Sequence, residues 1–171
     1  IEVLRSPLGL LLAASADGRS CYLVRWLALE AGATNLAMLQ FQSAIDVASA
    51  LALAPQVGVP QLNLVVGDRD GHIGWSILGR LPRGFDGPST PAPVAWRGAG
   101  EQPLLVDPPL GRLWSANARV VDGDAERVRG GDEADGGLGY ELGARARQIR
   151  DDLLALRRPA TPTDMLAIQL D

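Results

Sequence analysis

Residues 61–79 read QLNLVVGDRDGHIGWSILG, and this stretch decides the fold class. Two runs rich in Val, Ile, Leu and Trp flank DRDG, and Asp70-Gly71 suits a turn whose backbone needs a positive φ. The stretch predicts a β-hairpin. Toward the front, IEVLR and LLLAA are short β-like runs around an SPLG turn, and SADGR separates them from a third run, CYLVRWLAL. Toward the back, PLLVDPPLGRLWSANARVV predicts strand, Pro-Pro turn, strand. The second of these strands, 111–121, contains Asn117, a poor strand former within an otherwise mostly apolar run.

Helical patterns lie between and after these strands. A helix is expected from Asn35 as N-cap, with Phe41, Ile45, Ala48 and Ala52 on one face at i, i+4, i+7 and i+11. Leu142, Ala146, Ile149, Leu153 and Leu156 give a second amphipathic helix over 141–157, expected to cover a sheet face. TPTDMLAIQLD starts a third, with Thr161 as N-cap and Pro162 in the first helical position. The piece from 80 to 102 is a loop rich in Pro and Gly, and 122–139 is an acidic, Gly-rich loop. Strand runs followed by helix runs place the chain in the α+β class, with an antiparallel sheet and packed helices.

Composition narrows the function classes. The chain has 171 residues, 47% of them hydrophobic and 21% charged, enough apolar material for a core and too much for disorder. A net charge of -4 speaks against a nucleic-acid partner. No run approaches the roughly 20 apolar residues that span a bilayer, so no membrane partner is expected. Cys21 stands alone, which excludes an internal disulfide, and with His72 as the single histidine it excludes metal sites built on Cys and His. On its apolar strand Cys21 is expected to be a small buried hydrophobe. No serine has a nucleophile-elbow context, and Asp68 and Asp70 are read as turn residues, so a Ser-His-Asp triad within these residues is not expected.

Taken in order, NLVVGDRDGHIGWSILGRLP, WRG, VDPPLGRLWSANARV, LGARARQIRDDLL and TPTDMLAIQLD resemble the penicillin acylase (penicillin amidase) family of N-terminal nucleophile hydrolases. RSPLG and YLVRW extend the likeness to the front. It spans essentially the whole chain and is most specific over 61–158. The resemblance implies that the antiparallel sheet and its helices are part of a four-layer αββα sandwich. It also implies a self-cleaving precursor that exposes a serine, whose own α-amino group then serves as the base. The substrates implied are small-molecule acyl amides of the penicillin, cephalosporin or N-acyl homoserine lactone type. Their acyl group passes to the serine and then to water, and no cofactor is required.

The resemblance also distributes roles. The family's oxyanion hole includes an asparagine in the strand that matches LWSAN, which assigns Asn117 that role. A carboxamide N–H is a neutral, orientable donor suited to developing negative charge. Without the resemblance, a strand end capping the next turn would be the better reading. A family arginine near the start of the following helix matches Arg145, as support for Asn117 or for the substrate. Arg147 is the alternative, and a solvated helix-face arginine is the plain one. A structural Ca2+ is implied in the parent enzyme, partly through the acidic loop after the asparagine strand. Asp122 and Asp124 are the candidates there, and the metal site stays unassigned.

In the family the nucleophile, a second oxyanion donor and much of the acyl pocket precede the matching segment. Ile1 has neither hydroxyl nor thiol. Residues 1–171 are therefore expected to be one internal piece of the β chain, inactive alone and partnered by the remaining segments of the α and β chains. Its uncovered edges and apolar faces predict self-association. The compartment implied is periplasmic or secreted. The rival reading is a non-catalytic binding or interaction module built on the same fold piece. A Ser, Thr or Cys following a Gly-type cleavage junction upstream of Ile1 separates the two.

Overall fold

The computed structural model describes residues 3–7, 9–82, 95–116 and 143–171. Its strands are β1 (Arg5–Ser6), β2 (Gly9–Ala14), β3 (Cys21–Val24), β4 (Leu62–Gly67), β5 (Ile73–Leu78) and β6 (Leu104–Val106). The helices are α1 (Val47–Leu53), α2 (Ala144–Ala155) and α3 (Pro162–Leu170). Short 3-10 helices occupy Leu27–Leu29, Ala37–Ser43, Ala54–Gln56 and Ala99–Glu101. The strands pair as two antiparallel sheets, ordered β1-β2-β3 and β4-β5-β6. This is a mixed α and β architecture with antiparallel sheets.

The hairpin at its centre forms as its sequence predicts. β4 and β5 pair from Leu62↔Leu78 to Gly67↔Ile73. Asp68 Oδ1 accepts the backbone N–H groups of Asp70 and His72, both at 3.0 Å, the Asx-type bonding that closes a turn without a ladder. Gly71 takes φ 91°, where a side chain would be strained.

β5 is the middle strand and is covered on both faces. On one face, Leu78 clusters with Ala54 and Val57, and Phe41 and Leu64 pack around them. On the other, Trp75, Ile77 and Leu81 form a second cluster, which Leu113 joins. Helix α1 lies directly on Gly74. A Cβ there would come within 2.6 Å of Leu51 Cδ1 and 2.7 Å of Val47 Cγ1. Gly74→Ala is therefore expected to push α1 off the sheet and cost about 1–3 kcal/mol, the usual range for overpacking. A lowered urea midpoint with an unchanged m-value would check this; an unchanged midpoint would mean that α1 can shift freely.

The expected helix from Asn35 is not continuous. A 3-10 helix, Ala37–Ser43, is followed by a break and then by α1. Two side chains cause the break by competing for backbone groups. Asn35 does not cap a helix. Its Oδ1 accepts from the N–H of Ala37 (2.9 Å) and of Gly58 (2.8 Å), and its Nδ2 donates to Gln56 O. Asp46 is the actual N-cap, in a capping box with Ser49. The buried positions of α1 are Val47, Ala50 and Leu51, followed by Ala54, whereas Ala48 and Ala52 are exposed and Ile45 is 83% exposed. Of the expected face only Phe41 touches the core.

Three further expectations are corrected. Cys21 is exposed, because it lies on the outer strand of the β1-β2-β3 sheet rather than inside a core. Within the predicted strand 111–121, residues 111–116 join no ladder, and 117–121 fall outside the described residues. The chain turns over Pro108, where Gly111 N–H donates to Pro108 O at 2.7 Å, and then runs toward α2. Helix α2 packs chiefly against α3 rather than over a sheet face. The short link from α2 to α3 brings the two helices together as a helical hairpin. Leu153 is buried and Ile149 partly so, as expected, while Leu142 lies outside the described residues. Helix α3 begins as predicted, with Thr161 and Asp164 in a capping box and Pro162 in the first turn.

Candidate functional site

The segment from Arg112 to Ala116 carries the chain to Asn117. Asn117 itself lies outside the described residues, as do Asp122 and Asp124, so the geometry here is that of the approach to it. Ala116 O accepts from Arg145 Nη2 at 3.4 Å. That carbonyl belongs to the planar peptide group whose nitrogen is Asn117's own, so Arg145 bonds the peptide unit on which Asn117 is hung. Arg147 is differently engaged. Its Nε lies 3.7 Å from Asp151, an exposed i,i+4 pair on the helix surface. Two residues along a helix turn about 200°, which puts Arg145 and Arg147 on nearly opposite sides. Of these two arginines, Arg145 is the one bonded to the Asn117 segment.

Two anchors hold the segment further back. Leu113 packs into the Trp75, Ile77 and Leu81 cluster, and Arg112 Nη2 donates to Leu156 O at 2.6 Å. Trp75 is itself oriented by its Nε1–H, which donates to Asn63 Oδ1 at 2.9 Å.

A second polar constellation lies at the hairpin turn, and sequence reasoning missed one member of it. His72 Nδ1 sits 2.7 Å from Asp107 Oδ2, while Asp107 Oδ1 accepts the N–H of Ile73 at 2.9 Å. Asp107 adopts φ 45°, a left-handed conformation that Asp enters more readily than most residues. The pairing depends on the β5–β6 register, Gly74↔Val106, which places the residue after Val106 beside Ile73. Nothing local in VDPP announces that register. Among the described residues no serine, threonine or cysteine is hydrogen-bonded to His72.

The His72–Asp107 hydrogen bond, then the charge of Asp107 and that of Asp68, raise the His72 pKa above its ordinary 6.5. Asp107 is held below 3.8, first by the Ile73 N–H and then by His72. The signs define a window. A raised histidine stabilises the fold fully below pH 6.5 and loses that contribution as pH rises through its folded value. A lowered carboxylate contributes above 3.8 and fails as pH falls through its folded value. The pair is thus at full strength between 3.8 and 6.5. His72→Gln should flatten the fall in melting temperature on going from pH 6 to pH 8, by an amount small enough to suit an exposed pair. An NMR titration placing His72 at or below 6.5 would contradict the assignment.

Among the described residues no group of three or more His, Cys, Asp or Glu is placed to hold a metal ion. No helix among them is long and apolar enough to cross a membrane.

No curated relative matches the chain. A family model described as Penicillin amidase matches residues 1–171, its entire length. That match spans every motif from the hairpin through the Asn117 segment to α3, and on it the chain belongs to the penicillin amidase family.

Proposed function

We propose that this chain is part of an acyl-amide hydrolase in which Asn117 donates a hydrogen bond to the oxyanion and Arg145 holds the Asn117 segment in place. The observation that carries the reading is the family match across residues 1–171. The bond from Arg145 to the carbonyl preceding Asn117 supports the assignment of roles. The nucleophile is a serine hydroxyl supplied by a part of the parent protein outside these residues, with its own α-amino group as base. Its oxygen adds to the acyl carbonyl, and the carbonyl electron pair moves onto oxygen, where the Asn117 carboxamide N–H meets it. Collapse breaks the C–N bond and the amine leaves with the proton taken from the serine. Water then releases the acid.

In this reading the described sheets and helices are part of a four-layer αββα sandwich, completed by the remaining α- and β-chain segments. The substrate is a small acyl amide of the penicillin, cephalosporin or N-acyl homoserine lactone type, met in the periplasm or outside the cell. A structural calcium in the parent protein, its ligands unassigned, would take no part in the chemistry. The exposed apolar side chains of the front sheet and of β6, among them Leu12, Tyr22 and Leu104, suit contact with those missing segments. Alone, the 171 residues should hydrolyse nothing and should self-associate.

The test uses the full-length, processed protein and a chromogenic acyl-anilide. A burst of released aniline and an acyl adduct on an N-terminal serine, seen by mass spectrometry of the intact chain, are expected. Turnover with the adduct on any other residue would overturn the mechanism, and absence of amide turnover would overturn the function.

A further inference from the structure

We propose that His72 is a pH-operated latch on strand β6. Charged, it holds Asp107, and with it the end of β6, against the hairpin; neutral, it lets that end open while β4 and β5 stay paired. The latch involves neither Asn117 nor the nucleophile.

Strand β6 has little else to hold it. It is three residues long, lies at the edge of its sheet and pairs only with β5, through Leu104, Leu105 and Val106. Their side chains are 61%, 42% and 45% exposed, so no core burial anchors the strand. A short ladder without buried side chains belongs to the low end of local stability. Its fastening falls to its two ends. At the front the bonds are neutral: Ser76 Oγ donates to Pro103 O at 2.9 Å, and Gln102 Nε2 donates to Gly79 O at 3.0 Å. Neither a hydroxyl nor an amide changes charge where histidine titrates.

At the back the bonds run through Asp107. Its N–H donates to Ile73 O at 2.9 Å, its Oδ1 accepts from Ile73 N–H at 2.9 Å, and its Oδ2 lies 2.7 Å from His72 Nδ1. These bonds hold Asp107 at φ 45°, the one positive φ outside glycine among the described residues. Such a conformation persists only where the surroundings over-determine it. Weakening the His72 bond therefore acts on a residue already inclined to relax. The turn, by contrast, is pinned without the imidazole. Asp68 Oδ2 accepts from Val47 N–H at 3.2 Å, which ties the turn to the start of α1, and Oδ1 accepts from the N–H groups of Asp70 and His72.

The charges around the ring set the direction. Four carboxylates lie in its field: Asp107 after β6, Asp68 and Asp70 in the turn, and Asp46 at the N-cap of α1. Arg69 is the turn's other basic residue. The hydrogen bond from His72 to Asp107 and the charge of Asp107, then the charges of Asp68 and Asp70, raise the His72 pKa above 6.5. A raised histidine contributes fully below 6.5 and lets go as pH rises through its folded value. The neutral ring keeps one N–H, which serves Asp107 only from Nδ1, and it no longer offsets the carboxylates.

The experiment is hydrogen exchange read by mass spectrometry on the full-length protein, from about pH 5.5 to about pH 8.5, either side of the histidine range. Exchange over 104–111 is divided at each pH by exchange over 62–67, which cancels the common rise of exchange with pH. In the parent this ratio should climb about 2- to 5-fold through the His72 titration, the size an exposed pair commands. His72→Gln should hold the ratio flat at its high-pH level. Asp107→Asn, which keeps an acceptor oxygen and loses the charge, should be flat as well, and it carries the comparison if His72→Gln fails to fold. Asp70→Ala removes a neighbouring charge but no bond to the end of β6, so the climb should remain and move to lower pH.

The same climb in His72→Gln or in Asp107→Asn would overturn the latch. So would a flat ratio in the parent, which would mean that β6 and the hairpin open together and that His72 serves global stability alone.

Discussion

Replacing Asn117 with Ala in the full-length enzyme is expected to lower kcat by roughly 10²–10³, the usual loss for one oxyanion donor. KM should move little, because a group that meets the oxygen only as charge develops contributes nothing to ground-state binding. Folding should survive, since a single substitution of this kind costs about 1 kcal/mol in the ordinary case. Arg145→Ala should follow the same pattern at smaller size: Ala116 O loses its guanidinium donor while the carboxamide itself stays. Steady-state kinetics and a melting curve on the same preparations check both. Unchanged kcat with a lowered melting temperature would reduce Asn117 to a structural cap.

The second large effect is on stability. Trp75 is 5% exposed and is the largest side chain in its cluster, which also holds Ile77 at 2% and Leu81 at 1%. Trp75→Ala should cost about 3–5 kcal/mol, the range for deleting a buried aromatic. It would also leave Asn63 Oδ1 without its indole donor and remove the seat of Leu113. Stability and site geometry are therefore linked through one residue. Besides a lowered denaturation midpoint, the variant should show a reduced kcat at temperatures where it is still folded. A loss below about 1 kcal/mol would mean that the cluster is not a core.

What the sequence revealed, and what it did not, divides by range. The hairpin was legible because its signals are local: Asp68 and Gly71 in the turn, with β-rich runs on either side. The same holds for Thr161 and Pro162 at the start of α3. The failed helix from Asn35 shows where local signals compete. Phe41, Ile45, Ala48 and Ala52 have helical spacing, but Asp46 with Ser49 starts a new helix inside the run and rotates the buried face to Val47, Ala50 and Leu51. Cys21 looked like a core residue because its neighbours are apolar, yet apolarity does not say which sheet face is covered.

Long-range pairings were the least visible. His72 and Asp107 meet only because β6 pairs with β5 in one register, and 35 residues separate them. For Arg145 and Arg147, neighbouring positions with the same chemistry, the resemblance left both open. Helix rotation separates them, sending one to Ala116 and the other to Asp151. Arg112 gave no signal in the sequence, because its partner is a backbone carbonyl and any residue could have supplied that.

The proposed role of Asn117 is to meet the oxyanion. It is tested by a crystal structure of the full-length protein with a phosphonate or boronate that mimics the tetrahedral intermediate on the serine proposed as nucleophile. The Asn117 carboxamide nitrogen is expected at about 2.7–3.1 Å from the anionic oxygen, with Arg145 still bonded to the Ala116 carbonyl. An Asn117 side chain turned away from that oxygen and bonded to its own backbone would contradict it.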